Sequence, residues 1–332
     1  MLQSVQNKSM TFSRTLSTGL IWLCLMAFAT KSRAQQDPQF TQYMFNQLYI
    51  NPAHAGLEKN ARFSLIHRSQ WAGYNASFND GGTLATQVFT ANVFVAPIKS
   101  GIGLQIMNDQ LGPVTNRDLQ LSYAYHVRLP NAKLSFGVRG GLYNISLDFN
   151  RLRALDPNDP LILTGVESQT KFDLAGGVYY LSRSFFGSVS VNHLLNTRFD
   201  FGSRAIQNRL AYTGYAMAGY RFEIGRNWTV TPSFLVKTDL RAYSFDVSTL
   251  INYNERYWGG VAYRYQDAIS VLLGADIPYR DNSIRIGYAF DYVLEGQPAK
   301  RPTSHEIFVS YAIPMKEAQK KPVIRTPRFR FD

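Results

Sequence analysis

The sequence has little cysteine and little charge. Of its 332 residues one is a cysteine, Cys24, and 17% are charged, compared with about 25% in an average soluble domain. The chain after residue 34 therefore has no thiol, which excludes disulfides, cysteine nucleophiles and thiolate metal sites there. It also lacks the run of about 20 apolar residues that a membrane-spanning helix needs, which excludes a polytopic helical membrane protein. A soluble all-β protein and an outer-membrane barrel remain.

The first 34 residues have the organisation of a secretory signal peptide. Lys8 and Arg14 precede an apolar stretch over residues 20–29, and the small-x-small pattern Ser32-Arg33-Ala34 follows it. A retained membrane anchor is the alternative, and the shortness of the apolar stretch disfavours it. The sequence therefore predicts export with cleavage after Ala34. Together with the barrel predicted below, it predicts a location in the outer membrane of a Gram-negative bacterium.

Most of the chain between residues 61 and 313 alternates between apolar and polar side chains. From residue 284 to residue 292, for example, Ile, Ile, Tyr, Phe and Tyr alternate with Arg, Gly, Ala and Asp. A period of two indicates β-strands, and a change of phase at Gly140-Gly141 predicts a β-bulge. We expect about fourteen strands, near residues 61–69, 83–96, 101–109, 116–129, 132–147, 171–182, 184–194, 208–224, 227–237, 242–253, 256–266, 269–277, 282–294 and 303–313.

The predicted fold is an all-β transmembrane barrel of antiparallel, up-and-down strands. Several segments exceed the soluble mean of about 5–6 residues and match the roughly 9–11 residues that cross a bilayer at a tilt. An even number of strands suits a barrel with both ends in the periplasm, and Tyr and Trp near strand ends suit interfacial girdles. A soluble sandwich would alternate in the same way with its apolar face inward. Secretion, strand length and the aromatic belts favour the barrel.

Charged side chains on the polar phase of the strands predict a charged lumen. A charge that faces lipid costs about 2–4 kcal/mol at the bilayer midplane, so these side chains should point inward and pair with one another. A selective pore or a gate for a plug is the alternative interpretation. The expected lumen residues are Asp118, His126, Arg128, Arg139, Asp173, Arg221, Glu223, Asp246, Arg264, Asp276, Arg285, Asp291 and Glu306.

Two segments flank the predicted barrel of residues 61–313. In the first, residues 35–60, Asp37-Pro38 is expected to begin a helix with Phe40, Met44 and Leu48 on one face. This segment either plugs the lumen or rests on the periplasmic rim. The second is a basic tail, residues 314–332, with six cations against Glu317 and Asp332. It is expected to be either a disordered end or a docking arm for an acidic partner.

The histidines and the other candidate catalytic residues form no convincing site. None of the five histidines has a metal-ligand spacing, and the zinc-protease pattern fails after His305-Glu306. Ser304, His305 and Glu306 resemble a hydrolase fragment, but consecutive side chains of a strand point to opposite faces, so Ser304 cannot use His305 as its base. We expect no enzymatic activity, no cofactor and no nucleic-acid partner.

The segment before the barrel carries the most specific family resemblance. Gln36-Asp37-Pro38-Gln39-Phe40-Thr41-Gln42-Tyr43 and Tyr49-Ile50-Asn51-Pro52-Ala53-His54-Ala55-Gly56 resemble the opening of the PorP/SprF proteins of the type IX secretion system. Further matches extend over nearly all of the chain after the signal peptide. They include Arg68-Ser69-Gln70-Trp71, Ala124-Tyr125-His126, Asp173 with Gly176-Gly177-Val178-Tyr179, Asn192-His193-Leu194, Gly287-Tyr288 with Asp291-Tyr292, and Ser304-His305-Glu306.

The resemblance implies an integral outer-membrane barrel, without known enzymatic activity, that works in protein export and gliding. Its implied partners are the periplasmic ring and lipoproteins of the secretion apparatus, or a large surface adhesin, in addition to outer-membrane lipid. The family-motif residues that are candidates for partner contact are Asp37, Pro38, Phe40, Gln42, Tyr43, Asn51, Pro52, Gly56, Gln70, Trp71, His126, His305 and Glu306. An outer-membrane pore for a small solute is the competing function, since a barrel fold alone does not choose between them.

Overall fold

The computed structural model describes residues 37–58, 60–72, 84–152, 164–201, 206–294 and 303–315. The predicted signal peptide with Cys24 and the basic tail from Lys316 onward lie outside the described residues. Among the described residues, no helix is long and apolar enough to cross a bilayer.

Nearly all of the described chain is β-structure, in seventeen strands. The first seven are β1 (Asn60–Gln70), β2 (Leu84–Val95), β3 (Ser100–Leu111), β4 (Val114–Leu129), β5 (Ala132–Asp148), β6 (Val166–Ser182) and β7 (Phe185–Asn192). The remaining ones are β8 (Arg198–Phe201), β9 (Ile206–Arg209), β10 (Thr213–Tyr220), β11 (Phe222–Ile224), β12 (Trp228–Thr238), β13 (Tyr243–Tyr253), β14 (Tyr257–Arg264), β15 (Ala268–Tyr279), β16 (Asn282–Val293) and β17 (Thr303–Pro314).

The strands close into an antiparallel barrel of fourteen strands. From β1 to β7 and from β12 to β17 each strand pairs with the next one along the chain, β1 pairs with β17, and β10 pairs with both β7 and β12. The short strand β11 adds three further residues along β12 beyond the end of β10, while β8 and β9 form a separate hairpin. This arrangement confirms the predicted up-and-down barrel. Closure leaves few unpaired backbone groups in the wall, as a span through lipid requires.

The two faces of the barrel wall have the inverse polarity of a soluble sandwich. Leu65, Val138 and Val261 point outward with 48%, 62% and 58% of their surface exposed, whereas Gln105, Gln120 and Glu306 point inward and are almost fully buried. An apolar exterior around a polar interior is the arrangement that lipid demands of a barrel. The structure therefore distinguishes the two folds that the alternation alone left open.

The two rims of the barrel differ in the length of their connections. One rim, here the short-turn rim, carries the turns at 96–99, 130–131, 183–184, 225–227, 254–256 and 280–281, together with Asn60 and Pro314, the two ends of the wall. The other, the long-loop rim, carries the connections at 71–83, 149–165, 193–212 and 294–302. In outer-membrane barrels short turns are periplasmic and longer loops extracellular.

The predicted bulge at Gly140-Gly141 is wrong. The pairing of β4 with β5 runs without a break, with Leu121 opposite Gly140 and Gln120 opposite Gly141. The apolar side chains change from the outward face of β5 to its inward face beyond these glycines. Tyr143, Ile145 and Leu147 point inward and are buried. They pack with Phe199 and Phe201, which the β8–β9 hairpin places over the lumen at the long-loop end.

The segment before β1 lies inside the barrel rather than on its rim. It consists of three short pieces, a 3₁₀ turn (Tyr43–Phe45), the helix α1 (Gln47–Ile50) and a 3₁₀ turn (Pro52–His54). The prediction of a single helix that begins at Asp37-Pro38 is wrong. The Asp37 side chain binds the wall instead of capping a helix. The segment runs from the long-loop end, at Asp37, to the short-turn rim, at Glu58 and Arg62, which form an ion pair. We call residues 37–57 the lumen segment.

The lumen segment approaches the wall so closely that glycine is required at several wall positions. A Cβ atom at Gly137 would overlap the backbone of Pro52 and Ala53, and one at Gly101 would overlap Ala55. Gly176, three residues after Asp173 on β6, is different, because the atoms nearest to a Cβ there would lie at 3.9 Å.

We expect Gly137→Ala to displace the lumen segment, whereas Gly176→Ala should be tolerated. Overpacking typically costs about 1–3 kcal/mol, and here the obstacle is backbone, which cannot rotate away. Thermal unfolding in detergent measures the effect, and the gel mobility of the unheated barrel shows that the wall still folds. Equal stability of the two variants would contradict the close packing of this segment.

Candidate functional site

The lumen segment is anchored at the long-loop end by a buried histidine between two carboxylates. His193, which follows β7, contacts Asp37 through Nε2 at 2.8 Å and Asp173 on β6 through Nδ1 at 2.9 Å. The Tyr215 hydroxyl donates to the second oxygen of Asp37 at 2.8 Å, and the Lys237 ammonium donates to the Asp37 backbone carbonyl. Three wall residues, His193, Tyr215 and Lys237, therefore hold Asp37, and Asp173 supports His193 from the other side.

The electrostatics of this anchor favour the ionic form of both partners. Burial on its own raises the pKa of Asp37, but the charges of His193 and Lys237 outweigh it and hold the pKa of this carboxyl well below its usual range. Burial on its own lowers the pKa of His193, but Asp37 and Asp173 outweigh it and raise the pKa of the imidazole to about 10. At neutral pH the anchor is therefore an imidazolium between two carboxylates.

A second anchor lies deeper in the lumen and joins the segment to the seam between β1 and β17. Glu306 accepts hydrogen bonds from the backbone N–H groups of Thr41 and Gln42 at 2.9 and 2.8 Å. The Thr41 hydroxyl donates to Asp291 at 2.8 Å. Arg68 forms ion pairs with Asp291 at 2.7 Å and with Glu306 at 3.1 Å, so the two carboxylates share one guanidinium.

Uncharged contacts hold the rest of the lumen segment. The Tyr43 hydroxyl lies within hydrogen-bond distance of Ser233 and Ser248, at 3.0 and 2.9 Å. The Asn51 amide donates to the carbonyls of Val178 and Val189, and its oxygen accepts from Ala53 N–H. Phe40 and Tyr49 join the apolar cluster that continues into Phe199 and Phe201, so the anchored segment and the β8–β9 hairpin fill the same lumen.

The family-motif residues fall into two groups in space. Most line the lumen: Asp37, Phe40, Gln42, Tyr43, Asn51, Pro52 and Gly56 are buried in the segment, and His126 and Glu306 are buried in the wall. Pro38 is half-buried beside Asp37. Gln70 and Trp71 instead end β1 at the long-loop rim, where Trp71 N–H donates to the Ser304 hydroxyl at 3.0 Å. His305 points outward, with Nδ1 at 2.6 Å from the Tyr288 hydroxyl.

The expected lumen charges are mostly inside the barrel, with exceptions at the rim. Arg264 pairs with Asp246 at 2.7 Å, and both are buried, as are Asp173 and Asp291. Arg128, Arg221 and Glu223 are exposed at the short-turn rim instead, because β4 ends and β10 gives way to β11 there. These residues follow the alternation that points a side chain inward, but they lie beyond the end of the lumen.

The arrangement supplies contacts that hold the lumen segment in place. Ser304 and Glu306 point into the wall interior while His305 points outward, as the strand geometry predicts. Among the described residues there is no group of three metal-ligating side chains. His193 belongs to the family match Asn192-His193-Leu194, but its pairing with Asp37 was not predicted from the sequence. The local pattern carries no signal of this pairing, because 156 residues separate the two side chains.

Asp37→Ala should release the long-loop end of the lumen segment, since it leaves His193 and Lys237 without this partner. Hydrogen bonds to charged groups contribute about 1.5–3 kcal/mol, so the released population should rise roughly ten- to a hundredfold. Single-channel recordings in planar bilayers measure the open events. Asp109→Asn is the matched control, because Asp109 is a buried wall carboxylate that binds Thr86. Equal open frequency in both variants would argue against the anchor.

The anchor should weaken at alkaline pH rather than at acid pH. The pKa of His193 is raised, so its contribution is complete below the ordinary value of about 6.5 and declines as pH rises toward about 10. Limited proteolysis of the segment between pH 5 and pH 9 tests this. Faster cleavage at pH 5 than at pH 9, after correction with a model substrate, would contradict it.

Comparison with known proteins agrees with this architecture. A mutant of the TodX monoaromatic hydrocarbon channel has a TM-score of 0.51 at 11% identity, covering 81% of this chain and 94% of its own. The Ralstonia pickettii toluene transporter TbuX gives 0.49 at 10% identity, covering 81% and 93%. At 11% identity the likeness to the TodX mutant shows the fold alone. No curated protein matches the chain. The family model for the type IX secretion system membrane protein PorP/SprF matches residues 32–311, and the chain belongs to this family.

Proposed function

We propose that this barrel is a non-enzymatic outer-membrane component of the type IX secretion and gliding machinery that binds protein partners to export or anchor surface proteins. The observation that carries the proposal is the occupied lumen. A segment held at two depths, by the ion pair of Asp37 with His193 and by hydrogen bonds from its backbone to Glu306, lies under a hairpin that inserts Phe199 and Phe201 and leaves the outer surfaces and rims for function. Family membership supplies the secretion system as the setting.

The charge of the short-turn rim supports contact with partners on the periplasmic side. Among the described residues cations there outnumber anions two to one, whereas at the long-loop rim they nearly balance. The short-turn cations are Arg62, Lys99, Arg128, Lys133, Arg183, Arg221, Arg226, Arg256, Arg280 and Arg285, and the anions are Glu58, Glu223, Glu255, Asp276 and Asp281. The long-loop cations are Arg117, Arg151, Lys171, Arg198, Arg209 and Arg241, and the anions are Asp148, Glu167, Asp200, Asp239 and Asp267.

The basic tail adds to the same face. Pro314 ends β17 opposite Asn60 at the short-turn rim, so the following residues start there. Their sequence carries six cations against Glu317 and Asp332. The cations of the rim and those of the tail sequence together suit an acidic surface of a periplasmic ring protein, lipoprotein or adhesin. The proposal includes removal of the signal peptide after Ala34.

The competing function is a pore for a small solute. It is suggested by the printed descriptions of the fold relatives, which are channels for monoaromatic hydrocarbons. The polar, ion-paired lumen of this chain does not suit an apolar solute, since desolvated charges would have to lose their partners along the path. The anchors at Asp37 and Glu306 would also have to open for every passage.

The test is a comparison of surface and secreted proteomes between the wild type and a clean deletion strain, complemented by the full chain. Loss of many exported proteins is expected for a core component, and loss of one large adhesin alone for a dedicated partner. An unchanged proteome, together with stepwise conductance of the wild-type protein in planar bilayers and a defect in uptake of one nutrient, would replace the proposal by the solute pore.

A further inference from the structure

A continuous ladder of polar side chains crosses the outer face of the barrel. Six residues that are direct partners in the strand register, one from each of β1 to β6, form it: His67, Gln87, Asn108, Arg117, Asn144 and Thr170. Side-chain contacts link four of them, from Gln87 to His67 at 3.2 Å, from Asn108 to Gln87 at 2.8 Å and from Arg117 to Asn108 at 3.1 Å. Asn144 contacts Thr170 at 2.8 Å, and strand register alone places this pair beside Arg117.

The ladder marks the end of the lipid-facing surface. The outward row next to it on the short-turn side is entirely apolar, with Leu65, Phe89, Ile106, Leu119, Leu142 and Phe172 as register partners. The row on the long-loop side contains Gln110, Thr115 and Ser146. With the long loops extracellular, the ladder lies where the acyl chains of the outer leaflet give way to headgroups.

This chemistry is confined to one side of the barrel. At the long-loop ends of β13 to β16 the outward positions are aromatic or aliphatic, as in Phe245, Tyr263, Ile269 and Tyr292. Phe245 stacks on Tyr265 with ring centroids 4.6 Å apart. That side is an ordinary aromatic girdle, which contacts lipid without selecting it. The β1–β6 side replaces the girdle with amides, hydroxyls and one guanidinium.

We propose that the ladder binds the phosphorylated sugar headgroup of an outer-leaflet glycolipid. In this proposal Arg117 binds the phosphate. Its Nε donates a hydrogen bond to Asn108, which orients the plane of the guanidinium. In the part of the chain that the structure describes, no contact engages its terminal amino groups. A planar, pre-oriented fork suits a phosphate. The flanking amide and hydroxyl groups suit sugar hydroxyls, which both donate and accept.

The inference is independent of the proposed secretion role, since it concerns the lipid around the barrel and not its protein partners. It commits to a glycolipid rather than a phospholipid, because the ladder extends over six strands. Adjacent strands lie about 4.8 Å apart, so the ladder is roughly 24 Å long, which matches an extended sugar headgroup better than a single glycerol phosphate.

The test is native mass spectrometry of the purified full chain in detergent with hexa-acylated, phosphorylated lipid A as the probe. Dephosphorylated lipid A and phosphatidylglycerol are the comparison lipids. We expect the wild type to retain phosphorylated lipid A most strongly, and Arg117→Gln to lower its affinity at least tenfold. Asn108→Ala should lower it as well, because the guanidinium loses its tether. The control is Arg241→Gln, an exposed cation of the β12–β13 turn, which should bind as the wild type does.

Two results would overturn the inference. Equal retention of phosphatidylglycerol and lipid A would mean an unspecific lipid shell. Equal losses of lipid A affinity in Arg117→Gln and Arg241→Gln would mean that any cation at this rim binds the lipid equally well. Gel mobility of the unheated variants shows that each barrel is folded, so a loss of lipid binding cannot be attributed to misfolding.

Discussion

Hydrocarbon supplies no hydrogen-bond partner to a polypeptide, and the structure of this chain follows from that constraint. The backbone satisfies it by closing fourteen strands into a ring, with β1 joined to β17 and β10 to β12. The side chains satisfy the same constraint by alternation, since each strand places every second residue against lipid and the others in the lumen. The lumen therefore collects the polar and charged groups of the whole wall. A lumen of that kind must be either wet or occupied by groups that complete its hydrogen bonds.

The lumen segment is the occupant, and its sequence suits the wall that surrounds it. Asp37 meets the cations His193 and Lys237, while the backbone of Thr41 and Gln42 meets Glu306. Buried ion pairs add little net stability, because desolvation offsets much of the attraction, yet removal of one partner leaves a buried charge uncompensated. Such pairs fix where the segment sits more than they increase stability. This is the property that a plug at a defined depth requires.

The sequence predicted the wall well and the plug poorly, for a physical reason. Alternation as regular as that of residues 284–292 identifies a strand wherever it occurs, because the direction of a side chain depends only on its position along its own strand. The phase change at Gly140 was misinterpreted because Tyr143, Ile145 and Leu147 pack inward against Phe199 and Phe201, a contact between segments that the pattern cannot see. The pairing of Asp37 with His193 spans 156 residues and depends on the path of the lumen segment. Short-range patterns carry no information about such a path.

The close contact between glycines of the wall and the backbone of the lumen segment has a consequence for how this architecture can diverge. Gly137 faces Pro52 and Ala53, Gly101 faces Ala55, and Gly177 faces the Asn51 side chain. These pairs join residues far apart in sequence, so neither member can change size alone. The segment and the wall should therefore be inherited as one unit. A chimera that combines the segment of one relative with the barrel of another will assemble only when the matching glycines are transplanted with it.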